Sequence, residues 1–512
     1  MNNFPASRFP IWQLLLLLSA GCATGPIDYP RTYTEVITDT ADTRLSREVA
    51  AWEQTHPGFS GFYPLSNGTD AFGARLALID QAERSIDAQY FLMKPDSAGF
   101  VFAAKLLEAA DRGVRVRFLL DDVFTSVDDR SLILLDEHPN IEVRLFNPIG
   151  RLGISYLNYA FDFSRANRRM HNKSLTIDNQ ITIFGGRNIA DEYFELKTET
   201  EFRDFDMLAM GSVAEEMSKT FDLFWNHEYS VPMEAFDKPN RKEDLASARA
   251  RNSEDEVATA TAIYQRAVNS RLVRDLIDDR VAAFPATGEV ITDDPEKLLN
   301  KVSPDQQILV TRMAEVVANA ESEVVVVTPY FIPGDSGVEF WRSVVDKGVR
   351  VVILTNSLAS TNHIPVHAGY ARYRHDVIQA GVELYEMRVS ATGAAEARQE
   401  SNFDSVTLHT KAVMVDRHLT FIGSLNLDPR SIDINTEMGV LIDTPDLAQA
   451  LAELFFERLP RSTYRVEEDE NGKLIWRGII GEHEVIETSE PQAGKWRRFK
   501  AFLSRILPES QL

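Results

Sequence analysis

Two stretches of this chain carry the same residue types at the same spacing. One is His171-Asn-Lys173 followed by Asp178, Gly185, Gly186 and Asn188; the other is His409-Thr-Lys411 followed by Asp416, Gly423, Ser424 and Asn426. Both read H-x-K-x4-D-x6-G-(G/S)-x-N. Displacing an alcohol from a phosphate diester requires a nucleophile, a proton for the leaving oxygen and positive charge over the non-bridging oxygens. Two histidines can divide the first two tasks, because imidazole titrates near neutral pH. Lys173 and Lys411 supply the charge, with Asn188, Asn426 and Ser424 as neutral donors to the phosphate. An ammonium beside each histidine would repel a metal ion, so metal-independent catalysis without a cofactor is expected. The repetition therefore points to one site built from two similar halves.

The elements that carry these residues are legible from their surroundings. Each H-x-K enters an apolar, β-branched run, Ser174 to Ile177 or Ala412 to Val415, which predicts a strand with the His and Lys on one face. A turn follows at Asp178-Asn179 or Asp416-Arg417. A second strand, Ile181 to Phe184 or Leu419 to Ile422, then leads into glycine. Asp178 and Asp416 close the turns and are assigned to ordering the motif more than to proton transfer.

The rest of the chain supports a duplication. Tyr90-Phe91 and Gly113-Val-Arg-Val116 are echoed by Tyr330-Phe331 and Gly348-Val-Arg-Val351, at offsets of 240 and 235, against 238 between the two histidines. Each copy is read as helix (Ala71 to Ala82; Ile308 to Ala320), strand (Ser85 to Leu92; Glu323 to Phe331), helix and strand (Val114 to Leu120; Val349 to Thr355). That alternation predicts an α/β layered fold in each copy. The repeats are placed at 61–233 and 301–461. Between them, 234–300 reads as a helical connector with helix from Ala258 to Asp279. Residues 462–512 read as a hairpin turning at Asn471-Gly472 and a basic amphipathic helix.

Composition bounds the function classes. With 44% hydrophobic and 26% charged residues among 512, the chain can bury two cores. Its net charge of −23 speaks against a nucleic-acid partner, which calls for a concentrated basic footprint. One segment breaks the trend: 495–507 holds five positive charges and no negative ones, with Trp496, Phe499, Phe502, Leu503 and Ile506 at helical spacing. It reads either as a helix lying on anionic lipid or as a tail helix docked on the body. At the other end Arg8, the apolar run Ile11 to Leu18 and Ser19-Ala-Gly-Cys22 form a secretory signal too short to span a bilayer. Cys22 is the chain's single cysteine, so neither an internal disulfide nor a cysteine metal site can form.

The paired motifs resemble those of the phospholipase D superfamily. The runs Asn167-Arg-Arg-Met-His171-Asn-Lys173, Thr328-Pro-Tyr-Phe-Ile-Pro333, His367-Ala-Gly-Tyr-Ala-Arg372 and Gly423-Ser-Leu-Asn-Leu-Asp-Pro-Arg-Ser431 are most similar to bacterial cardiolipin synthases of the C type. This resemblance implies two phospholipase D-like α/β domains forming one bilobal, pseudo-twofold unit whose motifs meet in a single cleft. It also implies transfer of a phosphatidyl group through a phosphohistidine on His171, with His409 as acid and then base; near symmetry leaves the reverse assignment open. A carboxylate downstream of each motif is expected to orient the histidine: Glu437, 28 residues after His409, for that ring, and Asp204 for His171, with Asp206 as fallback. The implied partners are phospholipids, phosphatidylglycerol and phosphatidylethanolamine among them, and a membrane surface. Water as acceptor would instead give phosphatidic acid, and a periplasmic phosphodiesterase or nuclease on the same fold is a third reading. His367 and Arg372 either contact a lipid headgroup or pack. The signal resembles that of a bacterial lipoprotein: residues 1–22 would be removed up to a lipidated Cys22, residues 23–60 would form an extension, and the protein would sit lipid-anchored on the periplasmic side of the cell envelope.

Overall fold

Valine-rich and isoleucine-rich runs bounded by capped helices set the framework. Asn67 caps the helix Gly68–Gln81 by accepting from Asp70 N at 3.0 Å, and Asp96 caps Ser97–Asp111 through Gly99 N at 3.1 Å. Between and after them lie the strands Ser85–Tyr90 and Arg115–Asp121, paired in parallel, with Ile141–Phe146 alongside. The second half repeats this with helices Ile308–Ala318 and Gly334–Val345 and parallel strands Glu323–Val327, Arg350–Asn356 and Glu383–Met387. In both halves the central parallel strands are buried, the expected state of a sheet covered by helices. The computed structural model describes residues 28–151, 163–196, 200–236, 244–251, 254–277, 282–299, 307–389 and 405–509. Cys22 and the apolar segment before it lie outside them. No helix among the described residues is long and apolar enough to cross a membrane.

The motif hairpins attach in the same way in each half. Ser174–Ile177 pairs antiparallel with Ser85–Tyr90 on one side and Ile181–Gly185 on the other; Ala412–Val415 does so with Glu323–Val327 and Leu419–Gly423. Beyond them lie Asp206–Met210 and Met438–Asp443. The two half-sheets then join into one sheet of eighteen strands. The joint is Phe284–Thr292, whose first residues pair with Ser60–Leu65 and whose remainder pairs with Met438–Asp443. A separate apolar core seals this seam, with Phe62, Phe184, Met207 and Val213 from one half against Ile422, Met438, Val440 and Leu447 from the other.

The structure corrects two expectations. The segment 234–300 is more than a helical connector, because Phe284–Thr292 is a strand of the main sheet; Pro285 and Gly288 inside it, and its unburied alternate positions, hid that pattern. Its helices also pack into the first core, where Tyr264 Oη donates to Asp80 at 2.6 Å and Ala267 is buried. The second correction concerns register. Ile86 lies opposite Ile177 and Val324 opposite Val415, so this strand repeats at 238, and Tyr90 corresponds to Thr328 rather than Tyr330. Tyr90 is a core residue bonded to Arg75, and the two Tyr-Phe pairs resemble each other by chance. The offset of 235 at Gly113 and Gly348 does hold in the strand pairing, with Ile86 opposite Val116 and Val324 opposite Val351. The 471–472 turn is a hairpin, as read, joining Thr463–Glu468 to Leu474–Ile480.

Gly73 tests the packing of the linker helices: a Cβ there would stand 2.1 Å from the Ala267 carbonyl oxygen. Gly73→Ala is expected to destabilise the protein by about 1–3 kcal/mol through overpacking, read as a lower midpoint in denaturant unfolding.

Candidate active site

Backbone pairing between the halves builds the site. Met170 forms a parallel bridge with Thr436, with His171 N donating to Thr436 O at 3.0 Å and Thr436 N to Arg169 O at 3.1 Å. The symmetric pairing is a two-stranded parallel ribbon of Thr200–Arg203 with Ser405–Leu408, extended by His409 N donating to Arg203 O at 2.7 Å. Each histidine is thus laid beside the segment that leads to the other half's carboxylate. His171 Nδ1 meets Glu437 Oε2 at 2.8 Å, and His409 Nδ1 meets Asp204 Oδ2 at 2.6 Å. The expected pairing within each half, Asp204 with His171 and Glu437 with His409, is therefore exchanged. The residue types were right and their partners were crossed, because the interdomain ribbons leave no sequence signal. Asp206, the fallback, is committed elsewhere: its carboxylate takes Arg75 at 2.8 Å and Arg187 N at 3.1 Å in a buried network.

In each ring a carboxylate holds Nδ1, the orienting contact of a catalytic histidine, and Lys411 Nζ lies 3.3 Å from His409 Nε2. Lys173 Nζ donates to His171 O at 2.5 Å, and Lys411 Nζ lies 3.0 Å from His409 Nδ1. The two differences between the motifs match the two carboxylates. A Cβ on Gly186 would lie 2.2 Å from Asp204 Oδ1, so the shorter carboxylate fits only against glycine. In the other half Ser424 Oγ donates to Glu437 Oε2 and accepts from Met438 N at 3.0 Å, so the hydroxyl holds the longer side chain. Ser424 is thereby a positioning group rather than a free donor to phosphate. The Asn188 amide is likewise engaged at both ends, accepting from Leu92 N at 3.2 Å and donating to Tyr193 Oη at 3.0 Å. Asn426 donates to Ser431 Oγ at 3.3 Å.

Asp178 and Asp416 stand apart from the chemistry. Both lie at positive φ, 50° and 53°, in the hairpin turns. Asp178 accepts from the backbone N–H of Glu83, Arg84 and Ser85, and Asp416 from those of Glu321, Ser322 and Glu323 and from Ser322 Oγ. Each caps the start of the neighbouring strand. Burial pushes the Asp416 carboxyl up, but these donors outweigh it and hold it below the usual range.

Basic side chains crowd the site. Burial, then Lys173, Lys411 and Arg430, hold His171 well below its ordinary pKa. Burial and Lys411 bring His409 down to about 4. Burial also lowers Lys173 strongly and Lys411 to about 8. Groups depressed together in this way would regain protons when an anion enters, the electrostatic signature of a phosphate site. The carboxylates differ. Burial raises Glu437 to about 7, whereas at Asp204 the opposing His409 and Lys411 outweigh burial and keep it ionised. At His409 the charge of Asp204 opposes burial and Lys411 without overcoming them, while His171 faces a carboxyl raised to about 7.

Sequence reasoning missed several residues here. Arg430 reaches across the halves to Asn167, bonding its Oδ1 at 2.5 Å and its carbonyl at 2.8 Å, and lies near enough to His171 to depress it. Both residues were inside quoted motif runs, but only the fold shows that those runs meet. The Phe91 ring abuts His171 at 4.6 Å, while Phe202 stacks on His409 at 5.3 Å and 9°. Tyr193 meets the same ring edge-on at 5.2 Å. Tyr330 is partly buried and donates to Asn362 Oδ1 at 2.9 Å, whereas Phe331 and Trp341 lie in the core. His367 packs, its Nε2 held by Arg374 at 2.9 Å, and Arg372 pairs with Glu509 rather than facing the cleft. Near His367, the guanidinium of Arg374 also pairs with Glu386 and Glu490, occupying the space between the three potential ligands with a cation.

Comparisons with known proteins place the chain in a family. The family model described as "Cardiolipin synthase, PLD-like domain" matches twice, over 76–225 and 313–459. The chain belongs to this phospholipase D-like family. It is an enzyme of the phospholipase D superfamily, a phosphatidyltransferase of the cardiolipin synthase-like group. It is 37% identical to cardiolipin synthase C of Escherichia coli over 91% of this chain and 98% of that protein. It is also 24% identical to a cardiolipin synthase of Oceanobacillus iheyensis, over 78% of this chain and 68% of the relative. The crystal structure of phosphatidylserine synthase from Haemophilus influenzae shares the fold, with a TM-score of 0.55 at 16% identity over 91% of this chain and all of the other.

The crossed pairing has a direct test. In histidine ¹⁵N spectra Asp204→Asn is expected to move the ring resonances of His409 and leave those of His171 in place, and Glu437→Gln to do the opposite.

Proposed function

We propose that this protein makes cardiolipin from phosphatidylglycerol and a second phospholipid, through a phosphohistidine. The observation that carries the reading is the exchange of carboxylates, which ties both histidines into one site with Lys173, Lys411 and Arg430 close enough to act on His171. His171, held neutral by burial and the neighbouring cations, attacks the donor phosphorus through Nε2. As the P–N bond forms, the P–O bond to the leaving headgroup breaks, and that oxygen takes a proton from His409, whose positive charge Asp204 balances. Entry of the phosphodiester anion raises His409 from its depressed resting value and makes it an acid. A glycerol hydroxyl of phosphatidylglycerol then gives its proton to His409 and attacks phosphorus, and His171 leaves. Lys173 and Lys411 neutralise the non-bridging oxygens throughout. Asp178 and Asp416 order the hairpins. Lipidation at Cys22 and export to the periplasmic side of a bacterial envelope would place the enzyme beside these substrates.

The test is incubation of purified protein with phosphatidylglycerol, with and without phosphatidylethanolamine, and mass spectrometry of the products. Cardiolipin is the expected product; phosphatidic acid alone would overturn the transfer reading. His171→Ala and His409→Ala are each expected to abolish turnover, and full activity in either would refute a shared site.

The kcat/KM profile should fall on its alkaline side near pH 8, as Lys411 loses its proton. Lys411→Arg, which stays charged, is expected to move that limb upward; an unmoved limb would assign it to another group.

A further inference from the structure

An amphipathic helix on a folded protein ordinarily buries its apolar stripe and wets its polar one. The helix Lys495–Ser504 and the turn after it do the reverse. The residues turned toward the body are Arg497, Ala501 and Ser504, the half-buried positions of the segment. Arg497 donates to the carbonyls of Leu358 and Thr361, and Arg498 to that of Glu490 at 2.7 Å. Past the helix, Arg372 holds the Arg505 carbonyl and pairs with Glu509, whose second oxygen accepts from Tyr373 Oη at 2.7 Å. The attachment is therefore polar. The apolar stripe faces outward instead: Trp496 is 66%, Phe502 64% and Ile506 84% exposed, flanked by Phe499, Leu503 and Leu507. Trp496 and Phe499 stack at 5.4 Å, which keeps the stripe continuous.

Charge and position say what this stripe meets. Lys495, Arg498, Lys500 and Arg505 are exposed around it, on a chain whose net charge is −23. The complement of an apolar stripe in a basic rim is an anionic lipid surface. The loop that Arg497 grips continues into Asn362 and His363, which lie beside Tyr330 and within reach of the Arg430 charge. Asn362 accepts from Tyr330, whose ring lies 6.1 Å from His363, and Arg430 acts on both His363 and His171. Between this loop and the helix is an open cleft of about 440 Å³, with His363 and Pro365 on one wall and Lys500 and Leu503 on the other.

We propose that the segment 495–507 is a membrane-docking device. Its apolar stripe enters the headgroup region of an anionic bilayer, its cations meet the lipid phosphates, and the cleft beside His363 opens from that surface toward the active site. The use of the cleft rests on the lipid-transfer reading above; the docking itself does not.

Docking is tested with the full chain carrying His171→Ala and Cys22→Ser, so that no lipid anchor contributes and vesicle composition stays constant. It should co-sediment with vesicles of phosphatidylglycerol and phosphatidylcholine, and far less with phosphatidylcholine alone. The triple variant Trp496→Ser, Phe502→Ser, Ile506→Ser should lose at least tenfold in vesicle affinity with an unchanged thermal transition, since these side chains are exposed. In the active background the same triple variant should keep its turnover of a dispersed short-chain phosphatidylglycerol and lose that of vesicles. Vesicle binding unaffected by the triple variant, or loss of self-association in its place, would overturn the proposal. Docking without any cardiolipin formed would sink the transfer reading and leave this one standing.

Discussion

Everything in the site depends on an exchange: each histidine is oriented by the other half's carboxylate. Neither half contains a complete catalytic set. His171 is useful only when Glu437 reaches its Nδ1, and His409 only when Asp204 does so. The requirement propagates outward. Two parallel backbone pairings bring the segments together, the strand Phe284–Thr292 joins the half-sheets, and the apolar seam around Phe62, Val440 and Leu447 holds them in register. Misplacing a donor by an ångström at such a site costs orders of magnitude in rate, so a rigid seam between the lobes is part of the chemistry.

The exchange also settles how four protonatable groups can be buried together. Lys173, Lys411 and the two imidazoles repel one another, and burial penalises each charge. Glu437 and Asp204 offset part of that cost, and a substrate phosphate completes the balance. The remaining excess of positive charge suits the site to an anion. Asp204 is held ionised while burial raises Glu437 to about 7, so the two histidines face different electrostatic surroundings although their motifs match.

Local chemistry made much of this readable from the chain. The hairpins carrying His171 and His409 follow from β-branched runs, turn residues and glycines, and Asp178 and Asp416 were recognised as turn closers because their position at the strand end leaves them little else to do. The repeat implied one fold used twice. What could not be read was anything set by contacts between distant segments. The crossed partners depend on ribbons such as 200–203 with 405–408, and nothing in either segment names the other. The strand Phe284–Thr292 escaped because Pro285, Gly288 and alternating exposure do not look like a central strand, yet it is the one that makes the sheet continuous. The Tyr-Phe pairs misled for the opposite reason: a matching dipeptide was read as register, and strand pairing shows it to be displaced by two positions.

The bridging strand has a consequence for how the two lobes can vary. Two identical lobes assembled as separate chains would have to accept every substitution twice, so a glycine that suits one carboxylate would be imposed on both. Joined through Phe284–Thr292, the lobes are free to differ. Gly186 can yield its side chain's space to a short acid while Ser424 braces a long one, and each histidine is given a carboxylate of its own kind. A symmetric frame thereby supports a reaction that has a direction.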